Sequence, residues 1–257
     1  MQYSFLNAIG FTALLVSTSP LMAAIQIESG TTPTSLLELY TSEGCSSCPP
    51  AEAWLSRLKE DPRLWKDFVP VAFHVDYWDH LGWKDPFASK SYTDRQYDYA
   101  DFWRNRSIYT PGFVLDGREW RGWFNREVFP RTSPKLVGVL TARSDDSLRW
   151  TLRFRPAANS TSASFDFHAA LLGFHLGSDV KAGENRGRKL EHDFVVLALG
   201  KAGSSKDGDF FQGELSLTTK LPLLPKRLGF AAWVTPSKSF EPLQVIGGWL
   251  PSAKQTP

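Results

Sequence analysis

Cys45 and Cys48 are the only cysteines in the sequence, and two serines separate them. Two cysteines at this spacing can form a disulfide and exchange it with the thiols of a partner. A short apolar run at residues 36–40 precedes them, and a helical pattern begins at the second cysteine with Pro49-Pro50. This order predicts a buried strand, a tight loop that carries the dithiol, and a helix that starts at the second cysteine.

The start of a helix favours a thiolate, because its first backbone N–H groups lack partners within the helix and carry partial positive charge. We therefore expect the pKa of Cys45 to fall below the free value of about 8.5. Cys48 is expected to be more buried and to act as the resolving thiol. Glu43 opposes the shift, since a carboxylate two residues before Cys45 raises its pKa. The alternative is a structural disulfide with no redox role.

A second group of polar residues follows the next apolar run. His74 and Asp76 would share one face of a strand, and His80 follows in the loop. Thiolate and imidazole ligands suit copper and zinc, so Cys45 and Cys48 with His74 or His80 form a candidate metal site. The simpler interpretation, which we prefer, is a hydrogen-bonded His–Asp pair that fixes the loop and binds no metal.

The segment after the first helix supplies the elements that position these residues. Residues 68–78 are β-rich and continuously apolar in the middle, which predicts a central strand parallel to the first. A helical period returns at residues 92–103, where Arg95 is expected to pair with an acidic residue nearby. Asp116-Gly117 predicts a hairpin turn. A last helix is predicted over residues 125–142, interrupted near Pro130 and Pro134.

The second half of the chain has a different pattern. Six runs with β-type alternation and no convincing helix predict a sandwich of strands, at residues 148–154, 165–174, 190–199, 210–217, 228–235 and 243–250. A polar, glycine-rich loop at residues 177–189 carries Glu184 and Asn185, and His192 follows it. Such loops are usually solvated turns, which is the preferred interpretation here.

The order of the predicted elements resembles the thioredoxin fold, in which a cis-proline faces the dithiol. The resemblance implies that Thr110 and Pro111, with Tyr109 beside them, bind an extended substrate chain. Several motifs together resemble the secreted thioredoxin-like proteins of domain-of-unknown-function family 1223: TSEGCSSCPP at 41–50, FHVDYWD at 73–79, Gly82-Trp83, Arg95-Gln96, Tyr99-Ala100, Tyr109-Thr110-Pro111, and Gly183-Glu184-Asn185 with Gly187, Leu190 and His192. One departure is Gly112, where glutamine is expected.

These observations predict an α/β thioredoxin-like N-terminal domain over residues 31–143, followed by an all-β sandwich-like C-terminal domain over residues 146–252. Residues 1–24 resemble a secretory signal peptide cleaved near Ala24, although no Lys or Arg precedes the apolar run. The alternative is an uncleaved N-terminal anchor. The protein is therefore expected to be exported, to the periplasm or outside the cell, with no membrane span after this segment.

The net charge of +2 is nearly balanced, so the sequence lacks the excess of basic residues that is typical of nucleic-acid-binding proteins. No cofactor is expected. The predicted function is thiol–disulfide exchange with a protein partner through Cys45 and Cys48. Glu43, His74, Asp76 and Arg95 are possible accessory residues. Two rivals remain: a metal-handling protein, and a non-catalytic binding module whose disulfide is structural.

Overall fold

A computed structural model of the chain describes residues 24–105, 107–124, 134–158, 160–219, 225 and 227–251. Its two α-helices in these ranges are α1 (Pro49–Arg57) and α2 (Lys90–Phe102), with short 3-10 helices at Leu58–Glu60 and Asp79–Leu81. The strands are β1 (Ile25–Glu28), β2 (Ser35–Thr41), β3 (Phe68–His74), β4 (Gly112–Leu115), β5 (Arg118–Glu119), β6 (Gly138–Ser144), β7 (Arg149–Pro156), β8 (Phe165–Gly173), β9 (Leu176–Asp179), β10 (Lys189–His192), β11 (Val195–Gly203), β12 (Ser205–Asp207), β13 (Phe210–Ser216), β14 (Leu228–Pro236) and β15 (Gln244–Trp249).

The elements around the dithiol form where the sequence predicts them. β2 runs parallel to β3 over its whole length, from Ser35 beside Phe68 to Thr41 beside His74. Every residue of both strands is buried, as expected for strands covered on two faces. The predicted hairpin is also confirmed: β4 and β5 pair across Asp116-Gly117, and both turn residues have positive φ.

The predicted fold class, an α/β thioredoxin-like domain followed by a β sandwich, is wrong. The described chain has far more strand than helix, and its largest sheet has eight strands in the order β15-β14-β8-β11-β3-β2-β4-β5. This sheet draws strands from both halves of the sequence, because β11 pairs in parallel with β3 at Val195 and Ala72. β3 is buried on both faces and has neighbours on both edges, so the second half of the chain continues the first half's sheet.

A second sheet of five strands, β1-β6-β7-β13-β12, packs against the larger one. Alternate residues of the shared strands face two separate cores. In β8, Ala170 and Leu172 face the core that includes α1, while Ala169 and Leu171 face the core beneath the five-stranded sheet. The second half of the chain therefore supplies strands buried on both faces, which local alternation did not indicate.

Two further expectations concern the ends of the predicted N-terminal region. The helix predicted over residues 125–142 is wrong where the structure describes it: Gly138–Ser144 is β6, with Leu140 and Ala142 buried between β1 and β7. Residues 125–133 and the predicted signal peptide up to residue 23 lie outside the described residues. None of the described helices is long and apolar enough to span a membrane.

Candidate functional site

The two cysteines form a disulfide at the start of α1. Their Cα atoms are 5.5 Å apart, and Cys48 is the N-cap residue of the helix. Its carbonyl oxygen accepts hydrogen bonds from the N–H groups of Ala51 and Glu52, at 2.9 and 3.1 Å. Cys45 and Cys48 are both 0% exposed, whereas the two serines between them are exposed. Only the tip of the loop therefore meets solvent.

Trp78 links the dithiol loop to the predicted substrate-binding segment. A Cβ atom on Gly44 would lie 2.8 Å from the Cβ of Trp78, so only glycine fits between the loop and this side chain. The indole N–H of Trp78 donates to the hydroxyl of Thr110 at 2.8 Å, and the Thr110–Pro111 peptide bond is cis, as the resemblance implied. The carbonyl oxygen of Tyr109 accepts from the side-chain amide of Gln96 at 2.8 Å.

A buried polar cluster lies beside the disulfide. The imidazole of His192 lies between two carboxylates, with its Nδ1 2.6 Å from Glu52 Oε2 and its Nε2 2.9 Å from Glu43 Oε1. Burial alone would lower the pKa of His192, but Glu52 and Glu43 outweigh it and raise the pKa to about 10. His192 is therefore an imidazolium at neutral pH, and both of its N–H groups donate to carboxylates.

A second imidazole–carboxylate pair adjoins this cluster. His74 Nδ1 lies 2.8 Å from Asp85 Oδ2, and the same oxygen accepts from the backbone N–H of Glu43 at 2.9 Å. Burial would raise the pKa of Asp85, but the attraction of His74 outweighs it and the pKa is lowered. The rings of His74 and His192 meet edge to face, with centroids 5.0 Å apart.

The structure thus contains a His–Asp pair, but its members differ from those considered from the sequence. β3 ends at His74, so Asp76 does not continue a strand with it. Asp76 instead accepts from the hydroxyl of Thr93 at 2.6 Å. His80 is exposed, and its Nδ1 lies 2.7 Å from the carbonyl oxygen of Tyr77. In the oxidised protein, the cysteines of the proposed thiolate–histidine metal site are bonded to each other.

The loop between β9 and β10 covers the dithiol loop. The side-chain amide of Asn185 donates to the carbonyl oxygens of Glu43 and Cys45, both at 2.9 Å. The Glu184 carboxylate accepts from the backbone N–H of Ser46, also at 2.9 Å. Asn185 is fully buried, so the interpretation of this loop as a solvated turn is wrong for that residue. The second half of the chain therefore fixes the backbone around Cys45.

Arg95 has a structural position in the core. Its Nε and Nη2 donate to the two carboxylate oxygens of Glu38 on β2, at 2.8 and 2.9 Å. Tyr40 and Tyr99 also donate their hydroxyls to Glu38, which is completely buried. The guanidinium lies 5.3 Å from the ring centre of Trp233 on β14. Arg95 therefore pairs with a distant strand, not with an acidic residue of its own segment.

Three site residues escaped the sequence analysis: Glu38, Glu52 and Asp85. Glu38 interrupts the apolar run of β2, and a lone charge within a buried strand signals a buried partner. Glu52 lies four residues after Cys48, one helical turn along the same face. Asp85 gave no local signal, because its role depends on a contact with His74 across a loop.

These features define a class: a mostly β protein in which a buried disulfide at a helix start adjoins a cluster of two histidines and three carboxylates. The chain belongs to the family described as "Protein of unknown function (DUF1223)", whose model matches residues 36–235. This confirms the family predicted from the motifs.

Two solved structures resemble the chain in fold. Protein AGR_C_4864 from Agrobacterium tumefaciens is 24% identical, with a TM-score of 0.59 over 89% of this chain and 99% of that one. HBP35 of Porphyromonas gingivalis is 12% identical, with a TM-score of 0.56 over 89% of this chain and 79% of that one. A search of curated protein sequences found no match.

Proposed function

We propose that this protein exchanges disulfides with a protein partner through Cys45 and Cys48. The observation that carries the proposal is the disulfide itself, which joins the only two cysteines of the chain immediately before α1, with Cys48 as the N-cap residue of the helix. A disulfide closing so short a loop adds little to chain stability by cross-linking, because the stabilisation grows with loop length. A redox role accounts for its position better than a structural one.

The exchange oxidises a dithiol partner in two steps. A partner thiolate attacks Cys45 Sγ, the Cys45–Cys48 bond breaks, and a mixed disulfide with Cys45 forms while Cys48 leaves as thiolate. A second partner thiolate then attacks the partner's own sulfur in the mixed disulfide. The partner leaves with its own disulfide, Cys45 leaves as thiolate, and the two protons released by the partner thiols balance those taken up by Cys45 and Cys48. The reverse sequence reduces the partner disulfide.

Several contacts support this chemistry. Cys48 is the N-cap residue of α1, and the positive end of the helix dipole favours a thiolate there. Thr110, held by Trp78, and Tyr109, held by Gln96, offer a fixed segment against which an extended partner chain can align. Both sulfur-bearing residues are buried, and Glu184 contacts the backbone of Ser46 beside Cys45, so we expect this contact to open when a partner reaches the disulfide. The redox partner is expected in the compartment to which the protein is exported.

The decisive measurement is the reduction potential of the Cys45–Cys48 pair, obtained by equilibrating the full chain with glutathione buffers. A potential between about −270 and −120 mV, the range of known exchange proteins, supports the proposal. A value below about −300 mV overturns it in favour of a structural disulfide. Cys48→Ser should trap a mixed disulfide with a disulfide-containing peptide, visible by mass spectrometry, because the Cys45 thiolate attacks the peptide disulfide, one peptide half leaves as thiolate, and no Cys48 thiol is present to release the other half. The matched variant Cys45→Ser should trap much less.

The complete burial of both cysteines favours one alternative, a binding module with a structural disulfide. Structural disulfides resist reduction because their folded environment stabilises the oxidised form. The reduction potential of the Cys45–Cys48 pair distinguishes this alternative from disulfide exchange. If the protein is a binding module, the variant Cys45→Ser/Cys48→Ser should still bind its partner.

A further inference from the structure

Three buried side chains from distant parts of the sequence meet beside the disulfide: Glu52 in the first turn of α1, His74 at the end of β3, and His192 at the end of β10. Each offers one nitrogen or carboxylate oxygen, and these three atoms lie within 4.8 Å of one another. Two imidazoles and a carboxylate are a ligand set that protein sites use for zinc and other first-row divalent cations.

A second polar group holds each of these side chains from its far side. This is the usual arrangement around metal ligands, in which a carboxylate fixes the ring orientation and increases the basicity of the ligating nitrogen. The supporting contacts are Asp85 Oδ2 to His74 Nδ1 at 2.8 Å, Glu43 Oε1 to His192 Nε2 at 2.9 Å, and the hydroxyl of Thr41 to Glu52 Oε1.

The remaining nitrogen of His74 supplies an independent indication. His74 is 1% exposed, and its Nε2 is buried without a hydrogen-bond partner among the described residues. Buried polar atoms are nearly always paired, because an unpaired one loses its bond to water and gains nothing in return. Since Asp85 occupies Nδ1, Nε2 is the atom left to bind a ligand.

We propose that Glu52, His74 and His192 bind a divalent first-row cation, best fitted by zinc, through Glu52 Oε2, His74 Nε2 and His192 Nδ1. Zinc takes the place of the proton that His192 shares with Glu52, and that proton passes to solvent. Oxygen-preferring cations such as Mg²⁺ are disfavoured, because two of the three ligands are imidazoles. A bound ion also gives His74 Nε2 a partner.

Metal binding requires the three ligand atoms, which lie within 4.8 Å of one another, to adjust their separations. A tetrahedral zinc ion with bonds of about 2.0–2.1 Å holds its ligand atoms about 3.3 Å apart. His192 Nδ1 and Glu52 Oε2, now 2.6 Å apart, must therefore separate by about 0.7 Å. Glu43 and Thr41 hold the far atoms of these two side chains, and the His74 nitrogen must approach them by at most about 1.5 Å.

The test uses the full chain, stripped with a chelator, titrated with ZnCl2 against a competing chromophoric chelator and then desalted for metal analysis. We expect about one zinc ion per chain. Asp85→Asn, which changes a supporting side chain and leaves all three ligands in place, should weaken zinc binding by about 10- to 100-fold, and His74→Gln should weaken it further.

Two controls separate this site from other zinc-binding groups. His175→Gln changes the exposed cluster of His175, Glu191 and Asp193 and should leave the high-affinity zinc in place. Cys45→Ser/Cys48→Ser should also retain it. Loss of zinc in either control, or no zinc retained by the wild-type chain, overturns the proposal.

Zinc-edge X-ray absorption on the wild-type chain decides the matter even if His74→Gln does not fold. The proposal requires imidazole scattering and nitrogen or oxygen neighbours at about 2.0–2.1 Å. Sulfur neighbours at about 2.3 Å would place the ion on the cysteines and refute the assignment.

Discussion

Replacing Glu38 by glutamine should leave Arg95 as an uncompensated charge inside the protein. Glu38 is 0% exposed, and it accepts two hydrogen bonds from Arg95, at 2.8 and 2.9 Å. The guanidinium is itself enclosed, since it lies against the rings of Phe73, Tyr99 and Trp233. Water therefore cannot take over the role of the lost carboxylate.

Breaking a buried ion pair from one side typically costs about 3–5 kcal/mol. We expect that loss in the free energy of unfolding for Glu38→Gln and, separately, for Arg95→Met. It is a large share of the about 5–15 kcal/mol that stabilises a typical domain. The double variant removes both charges together, so it should be no less stable than either single variant.

The wild type, the two single variants and the double variant form a double-mutant cycle. The free energy of unfolding of each is measured by urea unfolding at neutral pH, with the disulfide intact and tryptophan fluorescence as the signal. The matched control is the exposed pair Lys90 and Asp94 on the same helix, whose removal should not change stability measurably. If the loss of stability in the double variant equals the sum of the two single losses to within about 0.5 kcal/mol, the two charges do not interact and the reasoning fails.

Three further predictions concern single positions. Burial, with smaller contributions from nearby cations, lowers the pKa of His168 well below its usual value. The folded protein therefore keeps this side chain neutral. In the unfolded chain, the same side chain binds a proton below about pH 6.5. Stability should therefore fall as the pH drops below about 6.5, and His168→Phe should reduce the slope of urea-derived stability against pH by about 1.4 kcal/mol per unit. Asn185→Ala removes two hydrogen bonds, each worth about 1 kcal/mol, and should accelerate reduction of the disulfide by dithiothreitol by about tenfold or more. Gly44→Ala places a Cβ 2.8 Å from that of Trp78 and should lower the free energy of urea unfolding by about 1–3 kcal/mol.

Each of these predictions has a control and a contrary outcome. Parallel pH profiles for wild type and His168→Phe would show that His168 titrates normally when folded. Arg186→Ala, an exposed change in the same loop as Asn185, should leave the reduction rate unchanged, and equal rates for both variants would contradict the covering role. Gly30→Ala meets no atom within 4 Å, so equal stability losses at Gly30 and Gly44 would contradict the steric argument.

The local sequence pattern was sufficient to predict the strand, helix and hairpin around the dithiol. The apolar run before Cys45, the prolines after Cys48 and the Asp116-Gly117 turn depend on interactions within a few residues, and the structure has the predicted strand, helix and hairpin there. Sequence motifs also identified the family correctly. The same local logic failed at β6, where an alternating strand was read as a helix.

The surroundings of the dithiol were decided by tertiary structure. Asn185 contacts Cys45 across 140 residues, and His192 contacts Glu43 across 149. These contacts exist because β11 pairs with β3, which joins the two halves of the chain in one sheet. A strand's own sequence determines that it will be buried, but its neighbours are set by the complementary faces and edges of the other strands. The sequence by itself therefore determined the disulfide and its helix, while the cluster around them required the complete fold.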